Sequence, residues 1–136
     1  MNFDKRIVID TGTLVSASFR FGSIPSQAYS KALREFAVCV SEETLVELEK
    51  VLRRDKFDRY ISLEDRLAFL ELYRKSAMLY PVTETVLDCR DPKDDKFLAL
   101  ALSAKAEMII SSDEDLCVLN PYRGIAILKP AAFLNR

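Results

Sequence analysis

Short apolar runs alternate along the chain with longer segments of helical periodicity, and this alternation constrains the fold more than any other feature. The runs read RIVID (6–10), AVCV (37–40), MLYPV (78–82), EMIIS (107–111) and IAILKP (125–130). Strand-like runs that alternate with helices are typical of parallel sheets covered on both faces. We therefore expect an α/β fold, a three-layer α/β/α sandwich with a central, mostly parallel sheet of four to five strands. The length of 136 residues predicts a single domain over residues 1–136.

Capping signals indicate where several helices begin. Ser41 precedes a segment with a leucine stripe on one face, and Ser62 stands three residues before Asp65, the spacing of a capping box. Pro81 in the run MLYPV predicts an edge strand or a strand end. The predicted helices cover about residues 13–19, 23–33, 41–52, 62–77 and 91–106.

The composition narrows the chemistry that the chain can support. It contains no histidine, which removes serine–histidine and cysteine–histidine nucleophiles and histidine bases. Lys and Arg number 20 and Asp and Glu number 21, so a uniformly basic nucleic-acid binder is not indicated. Three scattered cysteines predict a reduced, cytoplasmic protein without a disulfide framework or zinc site. The sequence has charged residues near its start, so we expect no signal peptide. It contains no apolar run of about 18 residues, so we expect no membrane span.

Four carboxylates are expected at one rim of the sheet. Asp10 and Asp113 follow predicted strands, where ligands collect in open parallel sheets. Asp95 lies in the first turn of the helix before EMIIS, and Glu47 lies mid-helix opposite the leucine stripe. Each could instead serve structure alone, through capping, the helix dipole or solvation. Together they would repel each other, and a hard cation such as Mg²⁺ would remove that cost and activate water.

The sequence DTGT at residues 10–13 has two other interpretations. Haloacid-dehalogenase-type phosphatases need Asp-x-Asp-Gly-Thr, but Ile9 and Thr11 occupy the two aspartate positions. Actin-like proteins and sugar kinases share Asp-x-Gly-Thr, but 136 residues with three glycines cannot provide two large domains and a second phosphate loop. The Rossmann and Walker glycine patterns are absent as well.

Four segments, in this order, resemble the PIN-domain family and, within it, the VapC-like ribonuclease toxins of type II toxin–antitoxin systems. They are IVIDTGTLVSA, SEETLVELEKVL, RDPKDDKFLALALSAKA and EMIISSDEDLCVL, and they span essentially the whole chain. The resemblance implies that Asp10, Glu47, Asp95 and Asp113 are catalytic and hold one or two Mg²⁺ or Mn²⁺ ions. It implies an endoribonuclease in which a metal-activated water hydrolyses RNA phosphodiesters, leaving a 5′-phosphate and a 3′-hydroxyl.

Several neighbouring residues have secondary predicted roles. Asp115 is a candidate ligand for a second metal ion. Thr11 and Ser112 are expected to support the ligand carboxylates, and Asp94 is interpreted as the N-cap of its helix. Gly12 departs from the asparagine of many relatives and removes a side chain that could hold neighbouring groups by hydrogen bonds.

The segment KVLRRDKFDRY supplies candidate RNA contacts directly after the predicted catalytic glutamate. Arg53, Arg54, Lys56 and Arg59 are expected to contact phosphates, although an ordinary solvated helix end explains the same run. The resemblance further implies a cognate antitoxin protein and a homodimer or higher homo-oligomer, with no membrane partner.

Two other functions stay open. A catalytically silent PIN scaffold could bind RNA or a protein with residual acids, and the departure at Gly12 supports this alternative. A metal-dependent phosphatase or DNA nuclease on a similar sheet would prefer small phosphoesters or DNA to RNA.

Overall fold

The computed structural model describes residues 5–136, and a parallel sheet lies at its centre. Within those residues, five strands lie in the order β3-β2-β1-β4-β5, and every neighbouring pair is parallel. The strands are β1 (Arg6–Ile9), β2 (Ala37–Val40), β3 (Met78–Leu79), β4 (Met108–Ile110) and β5 (Ala126–Leu128). Helices cover both faces of the sheet, so the predicted three-layer α/β/α fold with a parallel sheet is confirmed.

The α-helices of the described chain join these strands through crossover connections. They are α1 (Thr11–Phe19), α2 (Ile24–Glu35), α3 (Glu42–Leu52), α4 (Leu63–Ser76), α5 (Asp95–Ala104), α6 (Glu114–Cys117) and α7 (Pro130–Leu134). A 3₁₀ turn at Asp55–Phe57 follows α3, and another at Pro92–Asp94 leads into α5. None of the helices in residues 5–136 is long and apolar enough to cross a membrane.

Strand β1 shows how the two apolar layers form. Ile7 and Ile9 pack into a cluster with α1 to α4, whereas Val8 packs into a second cluster with α5 and α6. Successive residues of a strand point to opposite faces of the sheet. All three side chains are buried, because helices cover both of those faces. A strand buried on both faces therefore needs a continuous apolar run, which is what the sequence provides.

Three boundaries differ from the predictions. Strand β1 ends at Ile9, because the side chain of Asp10 accepts a hydrogen bond from the Thr13 amide and caps α1, which begins at Thr11. Helix α5 begins at Asp95 rather than 91, because a 3₁₀ turn precedes it. Pro130 follows the last strand as predicted but also begins α7, since proline is favoured at the first position of a helix.

The order of the strands creates a crevice above the centre of the sheet. The chain runs outward from β1 through β2 to β3, and then returns to the other side of β1 to form β4 and β5. The connections after β1 and β4 therefore lead away from each other. Ligand sites of open parallel sheets lie in the crevice that opens at such a point.

Candidate active site

Asp10 lies at the bottom of this crevice, directly after β1. Its side chain is 5% exposed, and both carboxylate oxygens have protein partners. Oδ1 accepts a hydrogen bond from the Thr13 amide at 2.9 Å, and Oδ2 accepts one from the Ser111 hydroxyl. Burial raises the pKa of the Asp10 carboxyl above its usual range, and the hydrogen bonds from Ser111 and Thr13 oppose that rise. The position of this acid is therefore fixed by the first turn of α1 and by the end of β4.

Asp113 lies across from Asp10, in the connection after β4. Ser111 joins the two, because its hydroxyl oxygen also accepts a hydrogen bond from the Asp113 amide at 2.9 Å. Oδ1 of Asp113 accepts a hydrogen bond from the Asp115 amide at 2.8 Å and so caps α6. A single buried hydroxyl thus holds two of the predicted site acids in a fixed relation.

The third predicted acid, Asp95, does not line the cleft, whereas its neighbour Asp94 does. Oδ1 of Asp95 accepts a hydrogen bond from the Cys89 amide at 2.8 Å, which holds the chain that precedes α5. Asp94 occupies the N-cap position of α5, but its side chain makes no capping hydrogen bond. Its carboxylate lines the same cleft as Asp10 and Asp113. Asp94 is the last residue of the 3₁₀ turn and Asp95 is the first residue of α5.

The fourth predicted acid, Glu47, enters the cleft from the middle of α3. Its carboxylate is paired with the ammonium group of Lys96, whose side chain is only 12% exposed. Lys96 also donates a hydrogen bond to the carbonyl oxygen of Lys93. The glutamate is therefore held by a cation from the first turn of α5.

The cleft has a volume of about 430 Å³ and brings together acids from four segments. Burial, the negative charge of Asp113 and a side-chain hydrogen bond with it, and the charges of Asp91 and Asp10 raise the pKa of the Asp94 carboxyl to about 7. Oδ2 of Asp94 is buried and has no hydrogen-bond partner among the described residues. The lining residues are Asp10, Thr11, Gly12, Ser16, Glu47, Val51, Asp94, Phe97, Ser112 and Asp113.

A second group of acids adjoins the cleft through Asp94. Carboxylate oxygens of Asp91, Asp94 and Asp115 lie within 4.8 Å of one another. Asp115 is also paired with Arg90 at 2.9 Å, and Asp91 accepts a hydrogen bond from the Lys93 amide. Asp115 thus lies beside the cleft, although it is not part of the lining.

These residues fit a hard divalent cation. The donor set is all oxygen, which Mg²⁺ and Mn²⁺ prefer to nitrogen or sulfur ligands. The unpaired oxygen of Asp94 and the raised pKa of its carboxyl both indicate a negative charge that the protein alone does not compensate. A cation placed among Asp10, Asp94 and Asp113 would compensate it.

The sequence of this chain matches the family model described as PIN domain over residues 6–115. The chain belongs to the PIN-domain family. The predicted family is confirmed by this match, and PIN domains are generally nucleases. The matched residues contain all the acids of the cleft.

Similar proteins extend this result to the fold. An uncharacterized protein of Methanocaldococcus jannaschii, MJ1680, is 29% identical over 116 residues, which cover 84% of this chain and 74% of the relative. The crystal structure of PAE2754 from Pyrobaculum aerophilum matches with a TM-score of 0.63 and 15% identity, over 96% of this chain and 88% of that one. Mycobacterium tuberculosis VapC20, described as a sarcin–ricin loop cleaving toxin, matches with a TM-score of 0.55 and 12% identity, over 82% and 93%. At these identities the two structures support the PIN fold alone.

The secondary predictions about the PIN-domain cleft are met unevenly. Ser112 lines the cleft, but the hydrogen bond to a site carboxylate comes from Ser111. Thr11 also lines the cleft, on the first turn of α1. Gly12 faces open space, since a Cβ atom built there would meet no atom within 4 Å. The asparagine of other family members would therefore fit at this position.

The four predicted RNA contacts have different surroundings in the structure. Arg53 points toward Glu49, with which it forms an ion pair at 3.0 Å. Lys56 and Arg59 lie over the rings of Phe57 and Tyr60. Arg54 alone of the predicted set lines a depression next to the cleft.

Sequence reasoning missed Lys96 and Ser111. Lys96 could have been noticed from the sequence, because a lysine in the first turn of a helix interacts unfavourably with the helix dipole. Such a residue indicates a nearby acidic partner. Ser111 carries none, because strand geometry alone decides which of two adjacent serines points toward Asp10. Asp94 and Asp95 pose the same difficulty, since only the turn before α5 decides between them.

Proposed function

We propose that this PIN domain is a Mg²⁺- or Mn²⁺-dependent endoribonuclease and the toxin of a toxin–antitoxin pair. The observation that carries the proposal is the convergence of Asp94 on Asp10 and Asp113, with a buried, unpaired oxygen on Asp94. Membership of a family of nucleases supports phosphodiester hydrolysis. The likeness in fold to VapC20, described as a toxin, supports the biological role.

Asp10, Glu47, Asp94 and Asp113 would hold the cation, and Asp91 and Asp115 would extend the site toward a second one. A bound cation supplies Lewis-acid activation of water and neutralises charge on the scissile phosphate. Ser111 and the Thr13 amide orient the two oxygens of Asp10, so that acid needs no rearrangement. Lys96 holds the Glu47 carboxylate in the cleft through an ion pair. The negative charges of the other acids would be compensated by the bound cation.

The test is cleavage of a labelled single-stranded RNA by the purified protein with Mn²⁺. The wild type should produce fragments with 5′-phosphate ends, and EDTA should abolish the reaction. Asp94→Asn should lose activity by at least about a hundredfold, because it removes a charge from the proposed cation site. Asp95→Asn is the matched control, because it makes the same substitution at the adjacent residue. This variant should stay active.

Equal loss in both variants would contradict the role given to Asp94. Faster hydrolysis of a DNA strand or of a small phosphoester would contradict the assignment to RNA. A variant active in EDTA would identify a contaminating nuclease, which a second preparation carrying Asp10→Asn would also reveal.

A catalytically silent RNA- or protein-binding scaffold is the second candidate function. The observation that favours it is the ion pair of Glu47 with Lys96, which already neutralises one of the acids. A silent scaffold should bind no Mn²⁺ in calorimetry and cleave none of a panel of RNAs, while its thermal stability stays that of a folded domain.

The proposed partners are an antitoxin protein and a second copy of the chain. Both follow from the resemblance to VapC-like toxins, and the proposed cytoplasmic location follows from the three scattered cysteines. Co-expression with the product of a neighbouring gene, followed by light scattering of the purified complex, would test the antitoxin and the oligomeric state together.

A further inference from the structure

A small groove opens from the acidic cleft and carries unpaired positive charge. It has a volume of about 220 Å³ and shares Glu47, Val51 and Asp94 with the cleft. Its other lining residues are Lys50, Arg54, Asp91 and Lys93. A strand of nucleic acid lying in the cleft would therefore pass directly into this groove.

The three cations of the groove have no acidic partner of their own among the described residues. Within residues 5–136, none of the side chains of Lys50, Arg54 and Lys93 takes part in an ion pair shorter than 4.0 Å. Neighbouring Arg53, in contrast, is paired with Glu49. Cations that converge without a protein counter-ion are available to a ligand anion.

The three acids of the groove have other partners in the proposed complex. Glu47 is neutralised by Lys96, and Asp94 and Asp91 belong to the acids that the proposed cation would compensate. A bound divalent cation would offset two of the carboxylate charges beside Lys50, Arg54 and Lys93. The groove would thus attract a phosphate more strongly with the cation bound than without it.

Buried contacts hold the groove in shape. Arg66 is fully buried and donates hydrogen bonds to the carbonyl oxygens of Leu52, at 2.6 Å, and Arg54, at 3.2 Å. On the other side of the groove, the amide of Lys93 donates to Asp91 and its carbonyl oxygen accepts from Lys96. The backbones of two of the cations are therefore fixed before a ligand binds.

We propose that Lys50, Arg54 and Lys93 form a subsite for a backbone phosphate that flanks the scissile phosphodiester. The proposal rests on the proposed nuclease function for the position of the strand. Phosphate fits because it is a compact anion with several acceptor oxygens, which lysine and arginine both bind. The subsite sets where the strand lies and leaves hydrolysis to the acids.

The test compares the wild type with the triple variant Lys50→Gln, Arg54→Gln and Lys93→Gln. The triple variant should raise KM for single-stranded RNA by about tenfold, with kcat changed less than about twofold, because phosphate contacts position the strand. The slope of log KM against log salt should fall by about 0.7 for each phosphate contact that is lost. Lys105→Gln, at the far end of α5, removes one charge away from the groove and should leave KM and slope unchanged.

Binding to RNA without turnover separates this proposal from the proposed function. In an Asp10→Asn background, fluorescence anisotropy should show the same loss of affinity for the triple variant, even if no RNA tried is a substrate. An unchanged affinity and salt slope in a triple variant with wild-type thermal stability would overturn the subsite. A fall in kcat with an unchanged KM would overturn it as well, since the cations would then serve the reacting group.

Discussion

Asp94 is the residue on which the electrostatics of the cleft depend. Its carboxyl is partly buried among three other acids, and its pKa of about 7 means that it carries a proton over part of the physiological range. The chain contains no histidine, so few other groups titrate between pH 5 and 8. The pH dependence of stability in this interval therefore reports mainly on the cleft.

We predict that the metal-free protein becomes less stable as the pH rises from 5 to 8. The folded-state pKa of Asp94 is raised above its ordinary value of 3.8, so the stability linked to its proton is complete below that value. This stability is lost as the pH rises through about 7. The measurement is urea unfolding in EDTA at several pH values. Asp94→Asn should make the decline shallower, while the buried Asp10, whose pKa is also raised, keeps part of it; an equally steep decline in that variant would contradict the assignment.

Ser111 and Ser112 offer a second test at this scale. Ser111→Ala removes the buried hydroxyl that joins Asp10 to Asp113, and should lower the free energy of unfolding by about 2 kcal/mol. It should also weaken Mn²⁺ binding by at least about tenfold, as expected when a ligand loses its hydrogen-bond partner. Ser112→Ala should change the free energy of unfolding by less than about 0.5 kcal/mol, because Ser112 is exposed. Chemical unfolding and Mn²⁺ titration of both variants measure the difference, and equal effects would refute the role of Ser111.

Among the elements, the connection between α3 and α4 depends on a single buried side chain. Arg66 begins in α4 and reaches back to the carbonyl oxygens of Leu52, Arg54 and Ile61, and to Asp58. The loop carries several of the basic residues that the sequence places near the site. Its conformation is therefore held by these hydrogen bonds, together with the packing of Phe57 and Tyr60 against Phe19.

We predict that Arg66→Met lowers the free energy of unfolding by about 3 kcal/mol, because three carbonyl oxygens lose a charged donor. Asp58→Asn, which removes only the half-exposed partner, should cost less than about 1 kcal/mol. Guanidinium unfolding of the two variants provides the comparison. A loss in Asp58→Asn as large as that in Arg66→Met would show that the ion pair, and not the carbonyl contacts, holds the loop.

At the scale of the whole molecule, the sequence predicts the layers well and the orientation of side chains poorly. Apolar runs buried on both faces, such as RIVI in β1, leave little choice but a parallel sheet covered by helices. The acids after β1 and β4 lie close together because those strands are neighbours in the sheet. Between them the order in which strands are added changes direction, which opens a crevice. Adjacent pairs such as Asp94 and Asp95 cannot be separated in this way, since a local 3₁₀ turn decides which one faces the cleft. The ion pair of Glu47 with Lys96 cannot be predicted from the sequence either, because it depends on how two helices pack against each other.

The central claim is that the cleft of this PIN domain holds a divalent cation through Asp94. Calorimetric titration of Mn²⁺ into the wild type, Asp94→Asn and Asp95→Asn at pH 8 tests it most directly, because Asp94 is then mainly ionised. The wild type and Asp95→Asn should bind with affinities within about twofold of each other, and Asp94→Asn should bind at least about tenfold more weakly. Wild-type affinity in Asp94→Asn, or a loss confined to Asp95→Asn, would contradict the account.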